Sequence, residues 1–246
     1  MPMPDTDPEA EETYGEPLDA LRAVPIVDNG EPLVDPRTLS RRVRFADKHP
    51  KFVDLPRDVR VRKSVAEKLA QAAENLPPGL VLMILEGYRP LTQQRQQHEE
   101  VRRDIAAKHP EWNAARLQAA VNNVSAPPDD TCPPPHTTGG AVDLCPVQED
   151  TGAFLDMVSP LEWDEVSAPT DTHGLSANAQ ANRQFLVDLL TPTGLTNYAG
   201  EWWHWSYGDS GWALRVGAAF ALYDRLPDEH ADGPDVENEA ESEAQA

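Results

Sequence analysis

The sequence predicts one α+β domain, and three observations carry that prediction. Helical stretches come first, and strands mixed with one further helix follow. A continuous apolar run at residues 80–85 (LVLMIL), entered through Pro77, Pro78 and Gly79, reads as a buried strand. Pro and Gly clusters divide the chain, yet there is neither a fixed-period repeat nor a long linker to mark a second domain.

Taken in order, residues 27–56 are Pro- and charge-rich with few apolar runs, and no element is assigned to them. Ser64 and Glu67 have capping-box spacing, and Val65, Leu69 and Ala72 then recur on one helical face. The strand at 80–85 ends in Glu86, Gly87, Tyr88, Arg89 and Pro90, and a Gln-rich polar helix begins near Thr92 and runs to about Lys108. A second helix is predicted over residues 114–121. Pro133, Pro134 and Pro135 exclude helix and central strand and hold the chain extended before His136. Residues 141–145 read as a strand, and Ser176 opens a helix through Leu190 that Gly194 stops. Residues 201–207 read as an aromatic-rich strand and residues 212–223 as a closing helix.

At 246 residues the chain supports a sizeable core, and 42 acidic against 21 basic side chains set the formal charge at −21. That balance rules out simple binding to a phosphate backbone, which needs Lys and Arg, and argues against adhesion to an anionic membrane surface. No apolar run reaches the roughly 18 residues of a membrane span, and the first residues lack the basic and apolar regions of a secretory signal. The expectation is a cytoplasmic protein with no nucleic-acid or membrane partner; its oligomeric state is left open. Acid crowds both ends, so residues 1–26 and 228–246 are expected to be disordered tails around a domain at 27–227. The two cysteines, Cys132 and Cys145, are too few for a disulfide scaffold. They read as ordinary buried thiols, with a structural zinc site or a disulfide as the alternatives.

Three segments carry chemistry: Gly87 to Pro90 (GYRP), His136 to Asp143 (HTTGGAVD) and Glu201 to Trp205 (EWWHW). Together they supply two histidines, two carboxylates and one arginine near strand ends. Two His and one Asp suit a catalytic zinc, leaving the fourth tetrahedral position to water. A further carboxylate can take that water's proton, and an arginine can hold a developing oxyanion. Each piece also has an ordinary reading. Gly139 and Gly140 equally serve a turn into a strand, Asp143 a buried salt bridge, Arg89 a surface ion pair, and Trp202, Trp203 and Trp205 the core. Glu201 and His204 are three apart, which on a strand sends them to opposite faces. They can share a cavity only where Glu201 lies on a turn after Gly200.

Taken together, the segments resemble the D-alanyl-D-alanine dipeptidases, zinc peptidases grouped with the D,D-carboxypeptidases and sharing the hedgehog-like fold. The family signature S-x-H-x-x-G-x-A-x-D corresponds to Pro134 through Asp143, and E-x-W-H to Glu201 through His204. The resemblance spans residues 60–225. It implies a small antiparallel sheet with helices packed on it, and one zinc per chain held by His136, Asp143 and His204. It further implies Glu201 as general base, Arg89 as the residue that polarises the scissile carbonyl, Tyr88 as a substrate-binding neighbour, and a small dipeptide as substrate. An aspartate between the signatures binds the substrate amine in that family; Asp164 is the nearest match, with Glu162 and Asp171 as alternatives. Pro134 stands where the family has serine, which leaves the preferred dipeptide open. The alternatives are a D,D-carboxypeptidase or L,D-endopeptidase on cell-wall peptides, and a non-catalytic zinc-binding domain of the same fold.

Overall fold

Two strands that are buried along most of their length organise the molecule. The structure, a computed structural model, describes residues 15–46, 57–164 and 166–228. In chain order these form α1 (Leu18–Arg22), β1 (Leu33–Val34), β2 (Val43–Phe45), β3 (Val61–Arg62), α2 (Lys63–Glu74), β4 (Leu80–Glu86), α3 (Leu91–Lys108), α4 (Ala114–Val124), β5 (Ala141–Gln148), α5 (Ala177–Leu190), β6 (Thr196–Asn197), β7 (His204–Ser206) and α6 (Ser210–Val216). The main sheet has the order β2-β4-β5-β7-β6, while β1 and β3 pair separately. The α+β class therefore holds. All ladders of the main sheet are antiparallel except β2 with β4, which is parallel. Of that pair, β2 lies at the sheet edge away from β7 and is formed by residues to which the sequence assigned no element. No helix among the described residues is long and apolar enough to cross a membrane.

The central strands alternate by the period-2 rule. Leu82, Ile84, Val142 and Leu144 enter the core, where the apolar face of α2 (Val65, Leu69, Ala72) and Leu186 and Leu190 of α5 join them. Leu69 is fully buried, so Leu69→Ala would cost about 2–5 kcal/mol. Trp202 and Trp205 are buried in the same core, and the Trp205 indole N–H donates to the Trp202 carbonyl at 3.2 Å.

Several local expectations are corrected. Arg62, not Ser64, occupies the N-cap of α2 and makes no side-chain cap. Ser64 is claimed instead by Glu31, which accepts from its amide and its hydroxyl at 2.8 Å each. The polyproline run does not stay extended up to His136: Pro135 opens a 3-10 turn, Pro135–Thr138, that contains it, because proline's fixed φ suits a first helical position. The expected strand over 201–207 is shortened to His204–Ser206, since residues 198–204 are taken up by two tight turns closed by Glu201 N–H to Tyr198 O (3.0 Å) and His204 N–H to Glu201 O (3.1 Å). The closing helix ends at Val216, where Gly217 adopts φ +66° as a left-handed cap. Part of the segment expected as an N-terminal tail is folded. Residues 1–14 lie outside the described residues, but residues 15–26 carry α1 and are docked on the domain. Of the C-terminal segment only Asp228 is described, and its carboxylate accepts from the Thr92 amide at 2.8 Å.

Candidate metal centre

The site begins with strand register. Asp143 on β5 pairs with Glu86 on β4 and with His204 on β7, so the three form one row across adjacent strands. Val142 and Leu144 face the core, which turns Asp143 to the opposite side. There its Oδ1 lies 3.0 Å from His204 Nδ1 and 3.3 Å from His136 Nε2, with all three residues buried. Donor atoms of His136, Asp143 and His204 fall within 4.8 Å of one another.

His136 reaches this row from the 3-10 turn, which Gly139 closes at φ +71°. Its Nδ1 lies 2.8 Å from the Gly87 carbonyl oxygen. Since a carbonyl can only accept, Nδ1 carries a proton, and Nε2 is the ring atom turned toward Asp143 and the one a metal would take in the neutral imidazole. Gly87 can present its carbonyl there because its backbone runs against residues 58–60. A Cβ at Gly87 would sit 2.6 Å from the Arg60 carbonyl oxygen and 2.9 Å from that of Asp58. Two imidazoles and a carboxylate within this span form a donor set suited to zinc.

Burial penalises charge on every member, and neighbours decide the outcome. Asp143 would be raised by desolvation, but the His136 and His204 imidazoles hold it well below the usual carboxylate range. His136 is pushed down by burial and more than restored by Asp143, so it sits above the ordinary imidazole value.

Glu201 lies on the turn after Gly200, which meets the condition for sharing a cavity with His204; its Oε2 is 4.0 Å from His204 Nδ1. The Asn197 side-chain amide donates to the carbonyls of both Glu201 and His204 at 3.0 Å and clamps that turn. Arg89 is buried, with Nε donating to Glu86 Oε1 at 2.8 Å, Nη2 to Glu86 Oε2, and Nη1 to Gln94 Oε1 at 2.6 Å. Those bonds use three of the five guanidinium N–H groups. Desolvation raises the Glu86 pKa and lowers that of Arg89, yet their mutual attraction outweighs it and favours both charges.

His136, Asp143, His204, Glu201 and Arg89 thus line one cavity of about 470 Å³. Two other expected positions lie elsewhere. Tyr88 is buried with its hydroxyl 3.4 Å from the Pro227 carbonyl, outside the cavity lining. Asp164 also lies off that lining, and its Oδ1 accepts from the Val166 and Ser167 amides at 3.0 and 3.1 Å. Pro134 does line the cavity. Cys132 and Cys145 are free buried thiols, with Cys132 pushed up to about 11 by burial.

Sequence reading missed Glu86 and Gln94, the partners that hold Arg89, and Tyr198, whose ring meets that of His204 edge-on at 6.0 Å between centroids. A Glu three residues before the Arg at a strand end was a usable signal for the first. Gln94, in a Gln-rich helix, had none. Also missed was the wall formed by residues 15–18 and Leu21.

The family model for D-ala-D-ala dipeptidases matches residues 49–230. A D-alanyl-D-alanine dipeptidase of Synechocystis sp. (strain ATCC 27184 / PCC 6803 / Kazusa) is 28% identical over 233 residues, 82% of this chain and 92% of that protein. A D-alanyl-D-alanine dipeptidase of Enterococcus faecium is 31% identical over 74 residues, 30% of this chain and 37% of that one. Among solved structures, VanYB in complex with D-alanine-D-alanine aligns at a TM-score of 0.40 and 16% identity, covering 68% of this chain and 83% of that one.

Proposed function

The chain belongs to the D-ala-D-ala dipeptidase family of peptidases, and from that premise we propose that it is a zinc-dependent dipeptidase acting on free D-Ala-D-Ala or a closely similar dipeptide. The observation that carries this reading is the convergence of His136, Asp143 and His204 in one buried cluster, on a cavity also lined by Glu201 and Arg89. His136 through Nε2, Asp143 through its carboxylate and His204 through Nδ1 are the proposed ligands of one ion.

When bound, zinc supplies a Lewis acid and lowers the pKa of water to the neutral range. Glu201 takes the proton of the attacking water and returns it to the leaving amine. Arg89 offers its two remaining N–H groups to the oxygen of the scissile carbonyl as negative charge develops there. Glu86 and Gln94 hold the guanidinium in place, so little reorganisation accompanies the reaction.

The test is to incubate zinc-loaded protein with D-Ala-D-Ala, L-Ala-D-Glu and a pentapeptide ending in D-Ala-D-Ala, and to follow amine release with and without chelator. Chelator-sensitive cleavage of D-Ala-D-Ala alone is the expected result. Cleavage of the pentapeptide alone would replace the dipeptidase reading with a carboxypeptidase. Stoichiometric zinc without cleavage of any free dipeptide would remove it altogether.

A further inference from the structure

Buried polar side chains in folded proteins are hydrogen-bonded, and each exception calls for a cause. The buried face of α3 carries Leu91, Gln94, Gln97 and His98, so polar groups stand where an amphipathic helix usually places apolar ones. Gln94 is bonded to Arg89 and to the Ala126 carbonyl, and His98 Nδ1 lies 3.1 Å from the Ser125 carbonyl oxygen. Gln97 differs. It is 7% exposed and lines the cavity, yet its side chain makes no hydrogen bond to any described residue. Its amide oxygen and nitrogen are not sealed from solvent either. We propose that Gln97 is a specificity-determining residue that pairs with a carboxamide side chain of the dipeptide. The substrate class then extends from D-Ala-D-Ala to D,D-dipeptides in which one residue is glutamine or asparagine; this rests on the dipeptidase reading and deepens it.

Space and chemistry on that side of the cavity agree with such a group. Gln97 follows Gln94 by one helical turn, which separates their Cβ atoms by about 5–6 Å, and Gln94 is bonded to the Arg89 guanidinium at 2.6 Å. The dipeptide backbone stays at the metal cluster; an extended glutamine side chain spans the further turn. The cavity of about 470 Å³ falls in the range of sites for drug-sized ligands, roughly 300–1,000 Å³, so two methyl side chains leave much of it unfilled. Packing of α3 on α4 is recorded by Arg102 Nη1 donating to Gln118 Oε1 at 3.2 Å and by the His98–Ser125 contact. Asn122 lies between those two rungs and also lines the cavity. Its Oδ1 accepts from Gln118 Nε2 at 2.8 Å, while its Nδ2 has no partner among the described residues. Ala119, Val124, Ala126 and Pro127 complete that wall, which brings no ionisable side chain of its own. A carboxamide supplies both the donor and the acceptor that the Gln97 amide lacks. A purely apolar side chain of the same length would leave that amide buried and unpaired, which is how a polar site rejects an analogue.

The experiment measures kcat/KM of the zinc-loaded wild type and Gln97→Leu on D-Ala-D-Gln and D-Gln-D-Ala. Each is compared with its counterpart of similar length, D-Ala-D-Met or D-Met-D-Ala, and D-Ala-D-Ala serves as reference. In the wild type one of the two carboxamide dipeptides should exceed its methionine counterpart roughly 10-fold, the equivalent of one or two neutral hydrogen bonds. In Gln97→Leu that ratio should fall to near one. Because no described residue is bonded to the Gln97 side chain, melting temperature and zinc content should match the wild type, which a structural role would not allow. Gln97→Met repeats the comparison where the leucine variant folds poorly. Ratios near one for both pairs in the wild type, or a preference that survives in both variants, overturn the assignment, while cleavage of D-Ala-D-Ala leaves the dipeptidase reading standing. A ratio that falls only together with zinc content or melting temperature overturns it too. Inactivity of the wild type on every dipeptide overturns the dipeptidase reading and this inference with it.

Discussion

Asp143 stands directly opposite His204 in the β5–β7 ladder, with Asp143 Oδ1 3.0 Å from His204 Nδ1. Because side chains alternate with period two, a slip of one residue in this ladder would send one of the pair to the core face. The Glu86 position extends the same row on the other side of Asp143. Competence to bind a metal is therefore a property of register, and the predictions below probe the row and its supports.

His204→Ala removes one of three clustered donors, leaving a two-ligand set. Zinc should be lost on dialysis against a weak chelator while far-UV circular dichroism of the metal-free proteins stays alike. Undiminished zinc stoichiometry would exclude His204 as a ligand.

Glu201→Gln retains the shape of the turn clamped by Asn197 but lacks a base. Its kcat should fall by roughly 10²–10⁴, the usual contribution of general acid–base catalysis, at unaltered zinc content. Turnover close to wild type with the metal in place would exclude Glu201 as the base.

Glu86→Gln leaves the Arg89 guanidinium buried without its ion-pair partner. Breaking a buried pair from one side costs about 3–5 kcal/mol. Urea unfolding should show that loss, and the double variant Glu86→Gln with Arg89→Met should be more stable than Glu86→Gln alone. Equal stability of single variant and wild type would mean that the pair contributes nothing to the fold.

Gly87→Ala places a methyl group 2.6 Å from the Arg60 carbonyl oxygen. Backbone must move, at a cost of about 1–3 kcal/mol, and the carbonyl that orients His136 moves with it. Both melting temperature and zinc affinity should fall; a drop in stability with unchanged zinc affinity would show that the Gly87–His136 bond does not orient the ligand.

Glu31 supplies a pH test away from the cavity. Burial raises its pKa, but the bonds from Ser64, Tyr223 and Asn29 outweigh that and leave it below the ordinary value. A depressed folded-state pKa means that its stabilisation is complete above the unfolded value of about 4.3 and is lost as pH falls toward the folded value. The stability difference between wild type and Glu31→Gln should be constant near neutrality and shrink below about pH 4.3. A difference independent of pH would show that the Glu31 charge has no part in it.

Elements carried by local patterning were legible in the sequence. The apolar run of β4, the amphipathic face of α2 and the Ser176 cap of α5, whose hydroxyl oxygen accepts from the Ala179 amide at 3.0 Å, all follow from spacing and residue type. Ser64 shows the limit of that reasoning. Its spacing to Glu67 fits a capping box, but Glu31, 33 residues away in the chain, takes its hydroxyl and amide. The donor types of the candidate site were legible as well, since His136, Asp143, Glu201 and His204 stand in recognisable spacings. That Glu201 and His204 could share a cavity depended on a turn that strand periodicity argued against.

By itself, then, the sequence determined the main helices, the two central strands, the excess of acidic charge and the kinds of side chain available for chemistry. Tertiary structure alone decided that Glu86, Asp143 and His204 form one row, that Glu86 and Gln94 hold Arg89, that Asp164 stays off the cavity and that residues expected in a tail become its wall. The physical reason is that periodicity reveals which face a side chain takes, whereas its neighbours on that face come from strands and segments distant in sequence. Those pairings are selected by the packing of the whole core rather than by any local run of residues.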